Sequence, residues 1–246
     1  MKENRKEVIK SSVAMLVLII IIGVVMSIVV RYQVNGEDNM PFEVSKIVVV
    51  STAEGEQKEE SDEDSKWNMI IDQNNDIYFN ITKNENADKV SVIKYFKIEN
   101  IKIKQSPKKG SIKAFMPNSK EGRKFVNKDD FLIEESLTYN GDVETNEKSL
   151  AIGNQGGTVS MRISNCGIGE YVSDEDGEII HDGTLLKTIK TPQEQVDFKV
   201  SFDIVLNVDG MNYRANIELD LPYENIEEKG ITSLEIDSDQ IIFKRE

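Results

Sequence analysis

The chain begins with an uninterrupted apolar stretch. Residues 11–30 read SSVAMLVLIIIIGVVMSIVV, contain no charged side chain and are bounded by Lys10 and Arg31. As a helix, this stretch rises about 30 Å, which is the thickness of the hydrocarbon core of a bilayer. A helix of a soluble domain would show a polar face, and a cleaved signal peptide would end in a small-residue cleavage site; the stretch shows neither. The pattern therefore predicts one uncleaved signal-anchor helix, which crosses the membrane over residues 11–31.

Basic residues flank the apolar stretch unequally. Four Lys or Arg side chains precede it, whereas Arg31 stands alone after it until Lys46. The positive-inside rule then keeps residues 1–10 as a cytoplasmic tail and sends everything beyond the span to the outer side of the cell membrane. Polar residues 32–40 predict a short stalk, followed by an extracytoplasmic β-rich domain over residues 41–246.

A strict alternation of apolar and polar residues dominates the C-terminal part of the chain. It extends on both sides of Asp209-Gly210. Asp-Gly favours a type I′ turn, and such a two-residue loop places Val208 opposite Met211 and fixes every pair further along the two strands. All apolar side chains then share one face of the hairpin, and that face needs a second sheet to cover it. We therefore predict an all-β, β-sandwich-like domain after the transmembrane helix.

Weaker alternation predicts further strands. They cover Phe42–Thr52, Trp67–Asp72, Asp76–Lys83, Val90–Lys104 and Val159–Ile163. The polar triplet Gln73-Asn74-Asn75 predicts a turn between the second and the third, and a change of phase within the fourth predicts a bulge or a bend. We expect a short helix between Asp182 and Lys190. The length of the chain is compatible with one β domain or two.

The formal net charge of −14 is unevenly distributed. Residues 1–31 carry five Lys/Arg against two Glu, a net of +3, so residues 32–246 carry −17. A domain this acidic repels phosphate polymers, which excludes nucleic acid as a partner. Seven acidic residues against one lysine predict a solvated loop over residues 54–65. The single cysteine excludes an internal disulfide, which favours a bacterial cell envelope over an exported eukaryotic domain.

One segment runs against this acidic average. Residues 104–128 hold eight Lys/Arg against Glu121, a net of +7, and we interpret them as a basic loop region. The functional interpretation is a surface for lipid headgroups or for an anionic wall polymer. The alternative is a solvated loop that residues 54–65 neutralise. The candidate binding residues are Lys108, Lys109, Lys113, Lys120, Arg123, Lys124 and Lys128.

Cys166 and His181 are the only residues of their kinds. A thiolate nucleophile needs a nearby base, so this pair is the candidate for cysteine chemistry. The residues around the pair lack the motifs of sortases and of L,D-transpeptidases, and the string Asn39-Met40-Pro41 lacks the nucleophilic serine of signal peptidases. We therefore predict no catalytic residue and no enzyme activity. The alternative hypothesis is a transpeptidase-like, cysteine-dependent envelope enzyme that uses Cys166 and His181.

The acidic run at residues 174–178 does not have the spacing of an EF-hand loop, because its glycine comes fourth instead of sixth. Asp176-Gly177 instead predicts a hairpin turn between Tyr171-Val172 and Ile179-Ile180. We predict no metal, no cofactor and no small-molecule substrate. The favoured function is a single-pass membrane protein whose outer domain is a non-catalytic interaction or structural module, working beside a protein partner or the envelope itself.

Overall fold

The computed structural model describes residues 2–37, 40–58, 67–85, 90–141, 146–173 and 178–246. The chain divides into two compact units, Met1–Asn39 and Met40–Glu246. The first contains one long helix, and the second contains all of the strands. Residues 40–246 thus form one unit with a continuous fold.

Helix α1 extends over Lys2–Asn35 and is longer than the sequence predicts at both ends. It includes most of the predicted tail and residues 32–35 of the predicted stalk, because neither stretch contains a residue that stops a helix. Gly36 ends the helix with a φ of 75°, and its N–H donates to the carbonyl of Tyr32 at 2.9 Å. The window Met15–Asn35 has a mean hydropathy of 2.7, and none of it is buried in the protein. Among the described residues this is the one helix long and apolar enough to cross a membrane.

Strands account for most of the second unit. In chain order they are β1 (Phe42–Gln57), β2 (Trp67–Lys83), β3 (Ile93–Gln105), β4 (Ser111–Phe115), β5 (Pro117–Asn118), β6 (Lys124–Phe125), β7 (Ser136–Asn140), β8 (Leu150–Ala151), β9 (Gly157–Ser173), β10 (Phe198–Val208), β11 (Met211–Leu221), β12 (Thr232–Asp237) and β13 (Lys244–Arg245). Two short helices, α2 (Leu185–Thr188) and α3 (Ile226–Lys229), complete the unit. The predicted short helix is therefore confirmed, and in the turn before it the Asp182 carboxylate accepts from the N–H and the hydroxyl of Thr184.

The strands form two large sheets that share one core. Sheet A has the order β12-β1-β2-β9-β4, sheet B has the order β13-β11-β10-β3-β7-β8, and β5 and β6 make a small separate ribbon. Neighbours in both large sheets are antiparallel except β7 and β8. The main core contains inward side chains of both sheets, among them Phe79 of β2, Phe96 of β3 and Phe202 of β10. This arrangement confirms the predicted all-β sandwich.

The β10–β11 hairpin has the predicted register along its whole length. Val208 lies opposite Met211, and Phe202 lies opposite Ile217. The turn is formed by Asp209 and Gly210, with φ angles of 52° and 87°. The predicted irregularity in β3 is confirmed too, because its register against β10 shifts at three points.

The described residues contain neither the turn predicted at residues 73–75 nor the complete hairpin predicted around residues 176–177. Gln73-Asn74-Asn75 does not form a turn: β2 continues through it, and all three side chains are buried. Their amide groups find partners inside the sheet, so they do not need solvent. Ile179 and Ile180 belong to no strand, so the predicted second arm of a hairpin at Asp176-Gly177 is wrong, and that turn itself lies outside the described residues.

The two predicted charged loops are also partly strand. Strand β1 continues to Gln57, which pairs with Met69 of β2, so the first residues of the predicted loop 54–65 lie in a ladder. Residues 59–65 of that loop lie outside the described residues. The basic segment 104–128 contains strands β4, β5 and β6. Backbone pairing outweighs the charge of these segments, because their side chains still reach water or a partner.

Candidate functional site

The basic segment folds against the face of sheet A that points away from the core. The ring of Phe125 lies over the guanidinium of Arg162 at 5.0 Å. The Nδ2 of Asn127 donates to the Asp72 carboxylate at 2.9 Å and to the Asn74 amide oxygen at 3.0 Å. Residues 116–131 therefore form a flap that covers polar side chains of β2 and β9.

Three of the seven candidate binding residues are engaged inside the protein. Lys109 donates to the hydroxyl of Thr191 at 2.6 Å, and Lys113 pairs with Asp129 at 3.1 Å. Arg123 donates to two backbone carbonyls, at 2.6 and 3.1 Å. The side chains of the other four, Lys108, Lys120, Lys124 and Lys128, are exposed.

The seven residues are also spread along the sheet. The Lys109 carbonyl accepts a hydrogen bond from Asn165, while Arg123 reaches the carbonyl of Thr158. These two positions lie seven residues apart on β9, which corresponds to about 23 Å. The segment therefore acts in part as a structural cover of sheet A, and its binding to an anionic surface stays a prediction.

Cys166 and His181 have different surroundings. Cys166 is half-buried, and burial together with the nearby Asp72 carboxylate raises the pKa of its thiol to about 12. His181 is exposed, and its Nδ1 accepts a hydrogen bond from the Gly55 N–H at 3.2 Å. A thiol with a raised pKa stays protonated at neutral pH, which works against a nucleophilic role. Cysteine catalysis stays a hypothesis that these contacts do not favour.

An ionic cluster lies under the flap. The Nε and Nη2 of Arg162 donate to the two Asp76 oxygens at 2.6 and 3.0 Å, and its Nη1 donates to Glu54 at 3.0 Å. Only 7% of the Arg162 side chain is accessible. Burial raises the pKa of the Asp76 carboxyl above its usual value, against the lowering effect of the Arg162 guanidinium. The fork-like pairing holds β1, β2 and β9 together and attaches the flap.

A second polar group lies on the inner face of the same strands. The Asn75 amide donates to the Ile163 carbonyl at 3.0 Å and accepts from the Ser51 hydroxyl at 2.7 Å. The Gln73 amide exchanges hydrogen bonds with Asn75, and Ser51 also accepts from the Tyr223 N–H at 3.0 Å. The side chains of Ser51, Gln73 and Asn75 are all buried and all hydrogen-bonded within the protein, so the group stabilises the sheet. Sequence reasoning missed it, although Ile71 and Ile77 stay in the same phase across the triplet, which a turn would have broken.

An open seam lies between the two sheets at one side of the sandwich. Strand β3 pairs with β7 only along Tyr95–Glu99, so the edge of residues 100–105 that faces away from β10 has no strand partner among the described residues. Strand β4 is the edge of sheet A, and residues 131–133 lie beside its C-terminal end. Phe115 bridges to Leu132, and the Ile133 N–H donates to the Ala114 carbonyl at 2.9 Å. Between these two edges is a groove of about 520 Å³. We call it the β3–β4 seam.

The lining of the β3–β4 seam is mostly apolar, with charges at its rim. The apolar side chains come from both sheets and from the crossing segment, and they are Ile101, Ile103, Ile112, Ala114, Leu132, Ile133 and Ile163. Ile103 is 38% exposed, although it points toward the core side of its strand. Lys102 of β3 and Lys113 of β4 also line the seam, as do Glu134 and Glu135, which directly precede β7. The volume falls within the range of about 300–1,000 Å³ that binding sites occupy.

Comparison with known proteins adds no assignment to this geometry. Across the described ranges, no group of three or more His, Cys, Asp or Glu side chains is placed to hold a metal ion. No protein-family model, curated protein or solved structure matches the chain.

Proposed function

We propose that the chain is a single-pass membrane protein of a bacterial cell envelope, and that its β-sandwich is a non-catalytic module that binds a partner protein. The observation that carries the proposal is α1, whose window Met15–Asn35 exposes its apolar side chains along its full length. Such a helix is stable in hydrocarbon, where its backbone groups bond within the helix. The sandwich supports the binding role, because it has an apolar seam at its surface and its polar clusters are occupied by structural contacts.

The proposed orientation rests on charge. Four basic residues precede the apolar stretch and one follows it directly, so the N-terminus stays in the cytoplasm and the sandwich is extracytoplasmic. The chain has one cysteine, which makes site-directed labelling simple. In a Cys166→Ala background, two single-cysteine variants report the two sides: Glu3→Cys in the N-terminal segment and Asp239→Cys at an exposed position of the sandwich.

The test is labelling with a membrane-impermeant maleimide. In intact cells, with the outer barrier opened, we expect Asp239→Cys to react at once and Glu3→Cys to react only after detergent is added. The reverse pattern would overturn the orientation. Mass spectrometry of the mature protein provides the second readout: an intact N-terminal segment is expected, and loss of the apolar stretch would overturn the anchor.

A further inference from the structure

We propose that the β3–β4 seam is a strand-acceptor site. It takes up an extended segment of a partner protein in which apolar residues alternate with acidic ones, and the segment adds to the free edge of β3 at residues 100–105. This inference rests on the proposed interaction function and names the chemistry of the partner. Three features of the seam carry it: the unpaired backbone edge, the apolar groove beside that edge, and the charges on the outer face of the edge.

The first feature is the unpaired backbone edge of β3. Strand β7 begins to pair with β3 at Ser136, which lies opposite Glu99, and the residues before Ser136 lie beside β4 instead. Six residues of β3, from Asn100 to Gln105, continue beyond that point with β10 on one side only. This edge is about 20 Å long, and its register against β10 shifts on both sides of Lys102-Ile103. The N–H and C=O groups that point away from β10 face any strand laid beside it. Addition of a strand at such an edge is an established mode of peptide recognition.

The groove receives alternate side chains of the added strand. Ile103 pairs with Val200, whose side chain is buried in the core, so Ile101 and Ile103 share the inner face of β3. On β4, Ile112 lies opposite Asn165 of β9 and Ala114 lies opposite Ile163, whose side chain is in the core. Ile112 and Ala114 therefore line the groove from the side of sheet A. A strand beside β3 would direct every second side chain into this gap between the sheets. Apolar residues at those positions would bury the exposed part of Ile103.

Charge selects the remaining positions. Lys102 and Lys104 lie two residues apart on the outer face of β3, are exposed, and form no ion pair with a described residue. Two copies of this edge would bring like charges together, which opposes pairing of the chain with itself through β3. Acidic residues in the added strand would lie across from these lysines. Glu134 and Glu135 repel acidic residues at the end where β7 begins, so the acidic positions are confined to the two lysines.

A second copy of this chain is the competing occupant. Strand β12 is the other edge of sheet A, and its residues Leu234 and Ile236 alternate with Glu235 and Asp237. That strand is, however, fixed beside the sixteen-residue β1. The unpaired edge of β3 is limited at one end by β7. It therefore has room for a single strand, and less room for a strand such as β12 that is already paired within its own sheet. A partner segment therefore fits better, and self-association is an outcome of the test.

The test uses the full chain in detergent micelles and three fluorescein-labelled hexapeptides, followed by fluorescence anisotropy. In the first peptide Val alternates with Glu, in the second Lys replaces Glu, and in the third Ser replaces Val. We expect the Val/Glu peptide to bind at least tenfold more tightly than either of the others. Exchange of both seam lysines, Lys102→Glu with Lys104→Glu, should reverse the preference toward the Val/Lys peptide. The matched control, Lys120→Glu with Lys124→Glu in the flap, has the same charge change and should alter affinity less than twofold.

Methylation of the peptide nitrogens tests strand addition directly. In the added strand, every second N–H group would point toward β3 and the others would point to solvent. Methylation of the set that faces β3 should abolish binding, and methylation of the other set should leave the affinity unchanged. Equal binding of the two methylated isomers, or no response to the seam lysines, would overturn the assignment. Sedimentation of the full chain showing self-association that Glu235→Lys removes would overturn it in favour of a second copy. Labelling at Asp239→Cys reports on the membrane orientation independently, so failure of the seam and failure of the proposed orientation are distinguishable.

Discussion

The strand pairs at the centres of the two sheets are held together in different ways. In sheet B, the inner face of β10 and β11 is apolar throughout, and Phe202 meets the ring of Phe79 edge-on at 6.0 Å. In sheet A, the middle of β2 and β9 is polar on both faces. Arg162 and its carboxylates lie on one face, and Asn75 with its amide and hydroxyl partners lies on the other.

The difference has consequences for how each pair responds to change. Apolar contact has no direction, so a substitution in the hairpin costs free energy in proportion to the volume removed. Buried hydrogen bonds and ion pairs are directional, and loss of one partner leaves the other without solvation. The hairpin should therefore respond to size, and the β2–β9 pair should respond to charge and to pH.

The largest expected effect is in the hairpin. Phe202→Ala removes a fully buried ring and leaves a cavity between the sheets. We expect the free energy of unfolding to fall by about 4 kcal/mol. Urea denaturation of the full chain in detergent, followed by the fluorescence of Trp67, measures it, since the chain has one tryptophan. Glu218→Ala, on the exposed face of β11, is the control and should change stability by less than about 0.5 kcal/mol. A loss below about 1 kcal/mol for Phe202→Ala would contradict the role of apolar volume here.

The second effect concerns the ionic cluster. Arg162→Met keeps a flexible apolar side chain like the aliphatic part of arginine, but it removes the guanidinium and leaves Asp76 buried without its cation. We expect a loss of about 3 kcal/mol at neutral pH. Lys199→Met is the matched control, because Lys199 also pairs with two carboxylates, but in solvent. Surface pairs contribute about 0.2–1 kcal/mol, so the two substitutions should differ severalfold.

The pH dependence of Arg162→Met sharpens this prediction. Burial already raises the pKa of Asp76 and Arg162 lowers it, so the pKa of Asp76 rises further when Arg162 is removed. An acid whose pKa is higher in the folded state than in the unfolded state favours folding when it is protonated. The deficit of Arg162→Met relative to the native chain should therefore shrink between about pH 7 and about pH 5. A deficit that stays constant over this range would show that Asp76 is not the group left uncompensated.

The hairpin could be predicted from the sequence because every signal for it is local. The alternation in β10 and β11 and the Asp209-Gly210 turn specify one register without reference to the rest of the chain. Strand β2 contained conflicting signals. The composition of Gln73-Asn74-Asn75 indicated a turn, whereas the phase of the apolar residues around it indicated one continuous strand. The partners that allow these amides to be buried, Ser51 and Ile163, come from distant parts of the chain, so the sequence pattern did not show them.

The β3–β4 seam and the fate of the basic residues depend on distant contacts as well. The free edge of β3 exists because β7 stops pairing at Glu99, and no local pattern at residues 100–105 signals that end. Arg123 looked like a surface cation in the sequence, but it donates to the carbonyls of Ala151 and Thr158. The net charge of residues 104–128 therefore identified a basic segment, but it did not show which of its side chains are exposed and which bond within the protein.

The smallest expected effect should be equal in the two strand pairs. Gly210 lies in the turn of the hairpin with a φ of 87°, and Gly167 lies in β9 with a φ of 69°. Neither has an atom within 4 Å of the position that a Cβ would occupy, so an added methyl group meets open space. The penalty for Ala is then the left-handed backbone alone, about 1 kcal/mol at each position.

Gly210→Ala and Gly167→Ala should therefore lower the urea midpoint by similar amounts, and Asn at either position should restore part of the loss, because Asn tolerates this conformation better. Gly167 has one additional contact, since its N–H donates to the Asp72 carboxylate at 2.8 Å. If Gly167→Ala proves much more costly than Gly210→Ala, the added strain has moved that N–H away from Asp72. The stability of the β2–β9 pair would then depend on backbone geometry as well as on charge, whereas that of the β10–β11 hairpin would depend mainly on apolar volume.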